Sequence, residues 1–202
     1  MRTNLNDIQW CPWCWDFLIL WAIKKALKEL KTKIPKENFV IVSGIWCSWK
    51  ISQYLNYYAA ETLHWRSIPF WVWVKLANKK LKVICIGGDG DMYGIWLSHL
   101  LHTARKNIDI TAIVLNNENY GLTTGQASCT TPKWIKTSST PNWNQFQWFN
   151  PIKLLEASGC KFTKQLEDKD FENLKNTIKE AILYNGFAHI DIIQACPSWK
   201  KW

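Results

Sequence analysis

The clearest pattern along the chain is an alternation of short continuous apolar runs with amphipathic stretches. Residues 16–30 carry apolar side chains at helical spacing and lysines on the other face, which predicts an amphipathic helix. Residues 81–86 and 110–115 are continuous apolar runs, typical of strands buried on both faces. The same reasoning predicts further strands at residues 39–42, 160–163 and 188–193, and further helices at residues 67–77, 93–106, 151–158 and 168–184.

This alternation predicts the α/β class, with a doubly wound, mostly parallel sheet and helices on both faces. The length suits one domain, residues 1–202, and no Pro-, Gly- or Ser-rich linker divides it. Residues 116–150 are polar and lack periodicity. A loop of that length in a compact domain is usually functional.

The formal net charge of +9 raises the question of a nucleic-acid partner. The lysines spread over helix-like stretches, so we interpret them as solvated helix faces and expect no nucleic-acid partner. Their charge would help to dock an acidic electron carrier. No window approaches 18 apolar residues and the first nine residues are polar, so we expect no membrane association and a cytoplasmic protein.

Seven cysteines in a chain without an export signal are expected to remain reduced, so burial or metal ligation must account for them. Cys11 and Cys14 form a C-x-x-C turn, while Cys47 and Cys196 each lie at a predicted strand end. Four thiolates at turns can hold one [4Fe–4S] cluster or one zinc ion, and the cysteines alone support both equally. We interpret the remaining three as structural: Cys85, Cys129 and Cys160.

The most specific motif is Gly-Gly-Asp-Gly-Asp at residues 87–91, with Asn117 lying 28 residues beyond Asp89. Both follow predicted strands, and ligands of open α/β sheets bind at the carboxyl ends of strands. Backbone N–H groups of such a loop suit a diphosphate, and carboxylate and amide oxygens suit Mg²⁺. The alternative is a glycine-rich turn with Asp89 as a helix N-cap.

Histidines fall into two groups. His64 and Arg66 bracket Trp65, and such a pair is suited to anchoring a carboxylate or phosphate. We interpret the other three as helix or core residues: His99, His102 and His189.

Tryptophan usage is anomalous, with fifteen Trp against nine Gly. Several sit where a turn is expected, as in the cysteine motif, and glycine is the residue that tolerates positive φ there. We hypothesise that these are UGA codons that the cell reads as glycine. The candidates are Trp13, Trp15, Trp46, Trp49, Trp65, Trp71, Trp73, Trp96, Trp134 and Trp143, with Trp21 and Trp148 as further ones, whereas Trp10 is interpreted as genuine. The alternative is a surface of rings that stack on carbohydrate or single-stranded nucleic acid.

With glycine written at those positions, the motifs WCPGCGDF, GIGCSGK, LHGRSIPFGVGVKLAN, GGDGDMYGIG, LNNENYGLTTGQASCTTP and QACPSW resemble the β subunits of 2-oxoacid:ferredoxin oxidoreductases. The resemblance covers the whole chain in order and spacing. It implies the thiamine-diphosphate-binding fold and three cofactors: thiamine diphosphate, Mg²⁺ and a [4Fe–4S] cluster.

The resemblance also implies roles for individual residues. The cluster ligands would be Cys11, Cys14, Cys47 and Cys196. The Mg²⁺ site would use Asp89, Asn117 and Asn119. The cofactor would be held by Gly88, Asp89, Gly90, Asp91, Asn117, Asn119, Gly121, Leu122 and Thr124. The residues of the reaction pocket would be Lys50, His64 and Arg66.

The implied activity is oxidative decarboxylation of a 2-oxoacid, 2-oxoglutarate or pyruvate, to acyl-CoA and CO₂, with electrons passing through the cluster to ferredoxin or flavodoxin. A partner, an α subunit or an α/γ pair, would carry the pyrimidine-binding domain and its activating glutamate. The family's β subunits continue past the CPS motif, so the resemblance implies a chain truncated after Trp202. Alternatives are a non-redox thiamine-diphosphate enzyme and a zinc-bound, non-catalytic interaction subunit.

Overall fold

A computed structural model describes residues 9–45, 47–63, 67–95 and 97–199, and it confirms the predicted α/β class. Its strands are β1 (Phe39–Ser43), β2 (Tyr58–Glu61), β3 (Lys82–Gly88), β4 (Thr111–Asn116), β5 (Asn119–Tyr120), β6 (Gln126–Ala127), β7 (Phe162–Glu167) and β8 (Ala188–Ile193). Six of them form one sheet in the order β2-β1-β3-β4-β8-β7, and every neighbouring pair is parallel. The antiparallel pair β5–β6 interrupts the long polar loop.

Helices cover both faces of the sheet. They are α1 (Asp16–Leu30), α2 (Lys50–Gln53), α3 (Ser67–Ala77), α4 (Leu97–Arg105), α5 (Pro151–Ala157) and α6 (Phe171–Leu183). Side chains alternate across β3, so Ile84 and Ile86 pack in the core formed with α1 and α6. Val83 and Cys85 pack in the core on the other face, with α3 and α4. Among the described residues no helix combines the length and apolarity that crossing a membrane requires.

Three predicted boundaries are wrong. The strand predicted at residues 160–163 is Phe162–Glu167, because α5 ends in a turn whose Gly159 has a φ of +88°. The helix predicted at residues 93–106 is divided into a π-helical turn, Gly90–Ile95, and the later α4. The helix predicted from residue 168 begins at Phe171, after its cap Asp170, whose side chain accepts a hydrogen bond from the Asn173 N–H at 3.1 Å.

The described tryptophans differ in their backbone conformation. Trp13, Trp134 and Trp143 have positive φ values of 64°, 70° and 79°. Trp15 and Trp49 have φ values of −70° and −62°, both right-handed helical, so backbone conformation gives no support for glycine at these two positions. Three further candidates lie outside the described residues: Trp46, Trp65 and Trp96.

Candidate cofactor and metal site

The candidate site lies at the carboxyl edge of the sheet, where β3 and β4 end side by side. After β3 the chain passes directly into the π-helical turn Gly90–Ile95. A Cβ at Gly90 would lie 2.1 Å from a ring carbon of Tyr120, so only glycine fits at this position. The Gly-Asp-Gly-Asp loop therefore packs directly against the β5–β6 hairpin.

Asp89 is the buried carboxylate of this edge, with 1% of its surface exposed. Burial raises the pKa of the Asp89 carboxyl to about 6, and the hydroxyls of Ser128 and Thr130 oppose the rise. Thr130 donates a hydrogen bond of 2.6 Å to Oδ2. A desolvated carboxylate gains from a bound cation, so Asp89 suits Mg²⁺.

Asn117 and Asn119 are locked to each other beside Asp89. The Asn119 N–H donates to Asn117 Oδ1 at 3.2 Å, and the Asn119 side-chain amide donates to the Asn117 carbonyl at 2.8 Å. Asn119 Oδ1 is buried and accepts no hydrogen bond from the described residues. An orphaned oxygen beside a buried carboxylate is the kind of donor that a hard cation prefers, so the residues present fit Mg²⁺.

Six of the predicted cofactor-binding residues line one cleft: Gly88, Asp89, Gly90, Asn117, Asn119 and Gly121. The cavity volume is about 20 Å³, room for a water molecule, so the cleft is smaller in this structure than a diphosphate requires.

Three predicted cofactor-binding residues do not line this cleft. Asp91 instead faces Gly44, where a Cβ would lie 1.9 Å from its Oδ2. Leu122 lies in the neighbouring cysteine pocket. Thr124, with a φ of +80°, closes the turn by donating its N–H to the Gly121 carbonyl at 3.3 Å.

The second pocket contains all four predicted cluster ligands and has a cavity volume of about 270 Å³. They are Cys11, Cys14, Cys47 and Cys196. The Cys14 N–H donates to the Cys11 carbonyl at 3.1 Å, which forms the expected tight turn. The Trp10 indole donates to the Cys47 carbonyl at 2.9 Å, so the N-terminal segment is fastened to the second cysteine turn.

Two thiols of this pocket, those of Cys14 and Cys47, hold their protons tightly. Burial and the nearby Asp16 charge raise the pKa of Cys47 to about 12, and the same causes raise the pKa of Cys14 further. Within the described ranges no three or more His, Cys, Asp or Glu side chains are already gathered closely enough to hold a metal ion. The cysteines share a pocket without forming a finished ligand set, so metal binding must both draw them together and release protons.

The two pockets adjoin. Their shared lining residues are Asp16, Cys47, Asn117, Gly121 and Gln194. Sequence analysis did not single out Asp16, although its place directly after the cysteine turn was a usable signal. Burial raises the pKa of the Asp16 carboxyl to about 6, opposed in part by Cys14, Gln194 and the positive charge of Lys50.

Of the three residues predicted for the reaction pocket, the structure describes one. Lys50 is buried, lines the cysteine pocket and donates from its ammonium to the Gln9 carbonyl. His64 and Arg66 lie outside the described residues.

A buried polar group that the sequence did not indicate lies beside Asp89. It consists of Tyr93, Asn116, Thr130, His189 and Asp191. His189 is fully buried, as the core interpretation expected. No local motif connects these residues, because they come from four separate parts of the chain.

Comparison with known proteins places this geometry in a family. Residues 43–192 match the family "Thiamine pyrophosphate enzyme, C-terminal TPP binding domain". The chain is 43% identical, over 99% of its length, to the 2-oxoacid:ferredoxin oxidoreductase subunit beta of Saccharolobus solfataricus, and it covers 65% of that protein. It is 34% identical over 100% of its length to the 2-oxoglutarate synthase subunit KorB of Archaeoglobus fulgidus and covers 74% of it.

A solved structure has the same fold. It is a 2-oxoglutarate:ferredoxin oxidoreductase from Magnetococcus marinus with 2-oxoglutarate, coenzyme A and succinyl-CoA bound. The TM-score is 0.94 at 32% identity, over 99% of this chain and 68% of that one. The chain therefore spans about two thirds of the length of these relatives.

Proposed function

Because this chain belongs to the family of 2-oxoacid:ferredoxin oxidoreductase β subunits, we propose that it binds thiamine diphosphate and an iron–sulfur cluster in a cytoplasmic enzyme of that kind. The complex would convert a 2-oxoacid and coenzyme A to acyl-CoA and CO₂ and pass electrons to ferredoxin or flavodoxin. The observation that carries the proposal is the adjacency of the two pockets at one edge of the sheet.

Mg²⁺ and the diphosphate would bind in the cleft at the ends of β3 and β4. Asp89, Asn117 and Asn119 would supply oxygen ligands to the ion, and support for this is the buried Asp89 carboxylate beside the orphaned Asn119 oxygen. When bound, thiamine diphosphate supplies the carbanion chemistry, while the protein binds and orients it.

The four cysteines would hold a [4Fe–4S] cluster. Their common pocket adjoins the diphosphate cleft through Asp16, Cys47 and Asn117, so the residues between them form a short path for electrons. Lys50 would offset negative charge in the wall of the cysteine pocket, which its effect on the Asp16 pKa supports. His64 and Arg66 remain candidates for anchoring the substrate carboxylate.

A partner subunit would complete the site. The family match is to a C-terminal thiamine-diphosphate-binding domain. In our proposal this chain is the diphosphate-binding type of domain, and the pyrimidine-binding domain would come from an α subunit or an α/γ pair. We therefore expect no turnover by this chain alone. 2-Oxoglutarate is the favoured substrate over pyruvate, because the solved relative carries it and another relative is named 2-oxoglutarate synthase.

Anaerobic iron and sulfide analysis with visible absorption would test the cluster. The chain would be produced as written and with glycine at the ten candidate positions, each with its partner subunit. We expect about four irons per chain and a brown colour that dithionite bleaches, in the glycine form. Zinc without iron in a well-folded glycine form would contradict the proposal and favour a non-catalytic interaction subunit.

A further inference from the structure

A chain of hydrogen bonds, partly buried at β7 and buried beyond it, runs across the sheet from β7 to the edge that holds Asp89. On β8, His189 and Asp191 point to the same face of the sheet. On the neighbouring strand β7, Thr163 pairs with His189 and Gln165 pairs with Asp191. Tyr93 reaches this row from the π-helical turn and lies 2.8 Å from both His189 Nε2 and Asp191 Oδ1.

The direction of each proton in this chain can be assigned. Burial raises the pKa of the Asp191 carboxyl, and the hydrogen bonds from Gln165, Tyr93 and Asn116 oppose the rise by favouring the ionised form. An ionised Asp191 can only accept, so Tyr93 donates to it and must accept from His189 Nε2–H. His189 Nδ1 then accepts from the Thr163 hydroxyl at 2.8 Å. Burial lowers the pKa of His189 to about 3, which keeps the ring neutral, as this assignment requires.

Asp191 is the point at which the donors converge. Its Oδ1 receives Tyr93 and, at 3.2 Å, the Asn116 side-chain amide, while its Oδ2 receives Gln165 at 2.8 Å. The two oxygens of a carboxylate can accept from all three donors. An asparagine at this position would replace one acceptor oxygen with an N–H₂ donor, which would face donors instead of accepting from them.

The orientation that Asp191 imposes on Asn116 extends to the metal edge. With its N–H₂ group held by Asp191, the Asn116 side chain directs its oxygen towards the Thr130 hydroxyl, 3.0 Å away. That hydroxyl is also 2.6 Å from Asp89 Oδ2. The hydroxyl has one proton, which it donates to the nearer Asp89 oxygen, and the Asn116 oxygen competes for that proton. The rotamer of Asn116 and the orientation of the Asp89 carboxylate are therefore coupled.

We propose that Asp191 is a positioning residue for the Mg²⁺–thiamine diphosphate site, acting on Asp89 through Asn116 and Thr130. The inference rests on the proposed function, because it assigns Asp191 a role at the ion that Asp89 would bind. Asp191 itself is fully buried within the sheet.

The test uses Asp191→Asn in the complex with the partner subunit, with Mg²⁺ affinity measured by titration at saturating thiamine diphosphate. We expect the Kd for Mg²⁺ to rise by roughly ten-fold, the lower end of the effect of losing a direct hydrogen-bond partner of a metal ligand, because Asp191 acts through two intervening side chains. Asp109→Asn is the matched control. It removes ion pairs to Lys75 and Lys82 at the opposite end of the sheet, so it costs stability without touching the site.

A Kd within two-fold of the unsubstituted protein would overturn the inference. If Asp191→Asn does not fold, Tyr93→Phe replaces it, since this variant removes one donor to Asp191 while keeping the ring. We expect a smaller rise in the Kd for Mg²⁺, roughly three- to ten-fold. An unchanged Kd would again overturn the inference. Failure of the unsubstituted complex to bind Mg²⁺ and thiamine diphosphate would instead contradict the proposed function.

A separate observation concerns the identity of the tryptophans. Of the six non-glycine residues with positive φ among those described, three are Trp13, Trp134 and Trp143. Left-handed backbone is strained for a residue with a Cβ, and glycine is free of that strain. All three indoles are at least half exposed, so burial does not compensate.

A fourth tryptophan is unsuited to its position for another reason. Trp71 is fully buried in α3, and its indole N–H has no hydrogen-bond partner among the described residues. Trp10 is different, because its N–H is bonded and its ring makes edge-to-face contacts with Phe17 and Tyr54.

We infer that the protein in its cell carries glycine at Trp13, Trp134 and Trp143, through UGA codons read as glycine. Peptide mass spectrometry of the native protein, together with the coding DNA, tests this directly. UGA codons with glycine in the peptides are expected, and tryptophan in the peptides or UGG in the DNA would overturn it.

Thermal unfolding provides a second test. We expect Trp13→Gly, Trp134→Gly and Trp143→Gly each to raise Tm by about 2–4 °C, and the control Trp10→Gly to lower it. A fall in Tm for all three would contradict the inference.

Discussion

The oxygen-lined cleft and the cysteine pocket share lining residues, but their ligand groups are preorganised to different degrees. In the cleft, Asp89 and Asn119 are both buried; Asp89 accepts a hydrogen bond from Thr130, and Asn119 donates one to the Asn117 carbonyl. In the pocket, Cys11 is exposed, and the described thiols do not yet form a ligand set. The comparison indicates that the sheet can position oxygen ligands before an ion binds, whereas cysteines on separate turns are brought together by metal binding itself.

The largest expected effect is on the cysteine pocket. Cys47→Ser should reduce iron from about four per chain to well below one, because a cluster needs four soft ligands. Cys160→Ala is the control, since this buried cysteine lies away from the pocket between α5 and β7. Equal iron in both variants, measured after anaerobic reconstitution, would show that Cys47 is not a ligand.

The next effect is on the cleft. Asp89→Asn should weaken Mg²⁺ binding by roughly a hundred-fold at saturating thiamine diphosphate, because it removes the only charged ligand in the predicted set. Titration calorimetry of the complex would measure it. Iron content should be unchanged, and a parallel loss of iron would mean that the two sites do not assemble independently.

The smallest effect is on stability in the absence of cofactors. Folding raises the Asp89 pKa from 3.8 to about 6, so its favourable contribution is full below pH 3.8 and is lost as the pH rises through 6. At pH 7.5, Asp89→Asn should therefore raise the free energy of unfolding by about 2 kcal/mol, with no gain near pH 3.5. Denaturant unfolding at the two pH values would measure this. A gain at both, or the same gain in the exposed control Glu156→Gln, would contradict it.

Much of the fold could be predicted because its signals are local. The helices at residues 16–30 and 67–77 and the strand at residues 188–193 match the structure at both ends. The short edge strand β2 was missed, because three of its four residues are exposed and the four carry no apolar pattern. The π-helical turn after β3 was missed since its sequence reads as an ordinary helix start.

The candidate site was predictable as far as its motifs reach. Asp89, Asn117 and the four cysteines belong to recognisable spacings, and the structure brings them to two adjoining pockets. Asp191 belongs to no motif, and Thr130 lies in one without any role that the motif indicates, because each acts through a neighbour that folding alone provides.

The sequence by itself determined the α/β alternation, the ligand types and the anomaly of the tryptophans, because periodicity, residue chemistry and composition are properties of the chain. Only the tertiary structure decided that Asp191 reaches Asn116, that Asp16 stands between the two pockets and that three tryptophans have left-handed backbone. Those facts depend on strand register and burial, which arise from packing between distant segments and leave no local trace in the sequence.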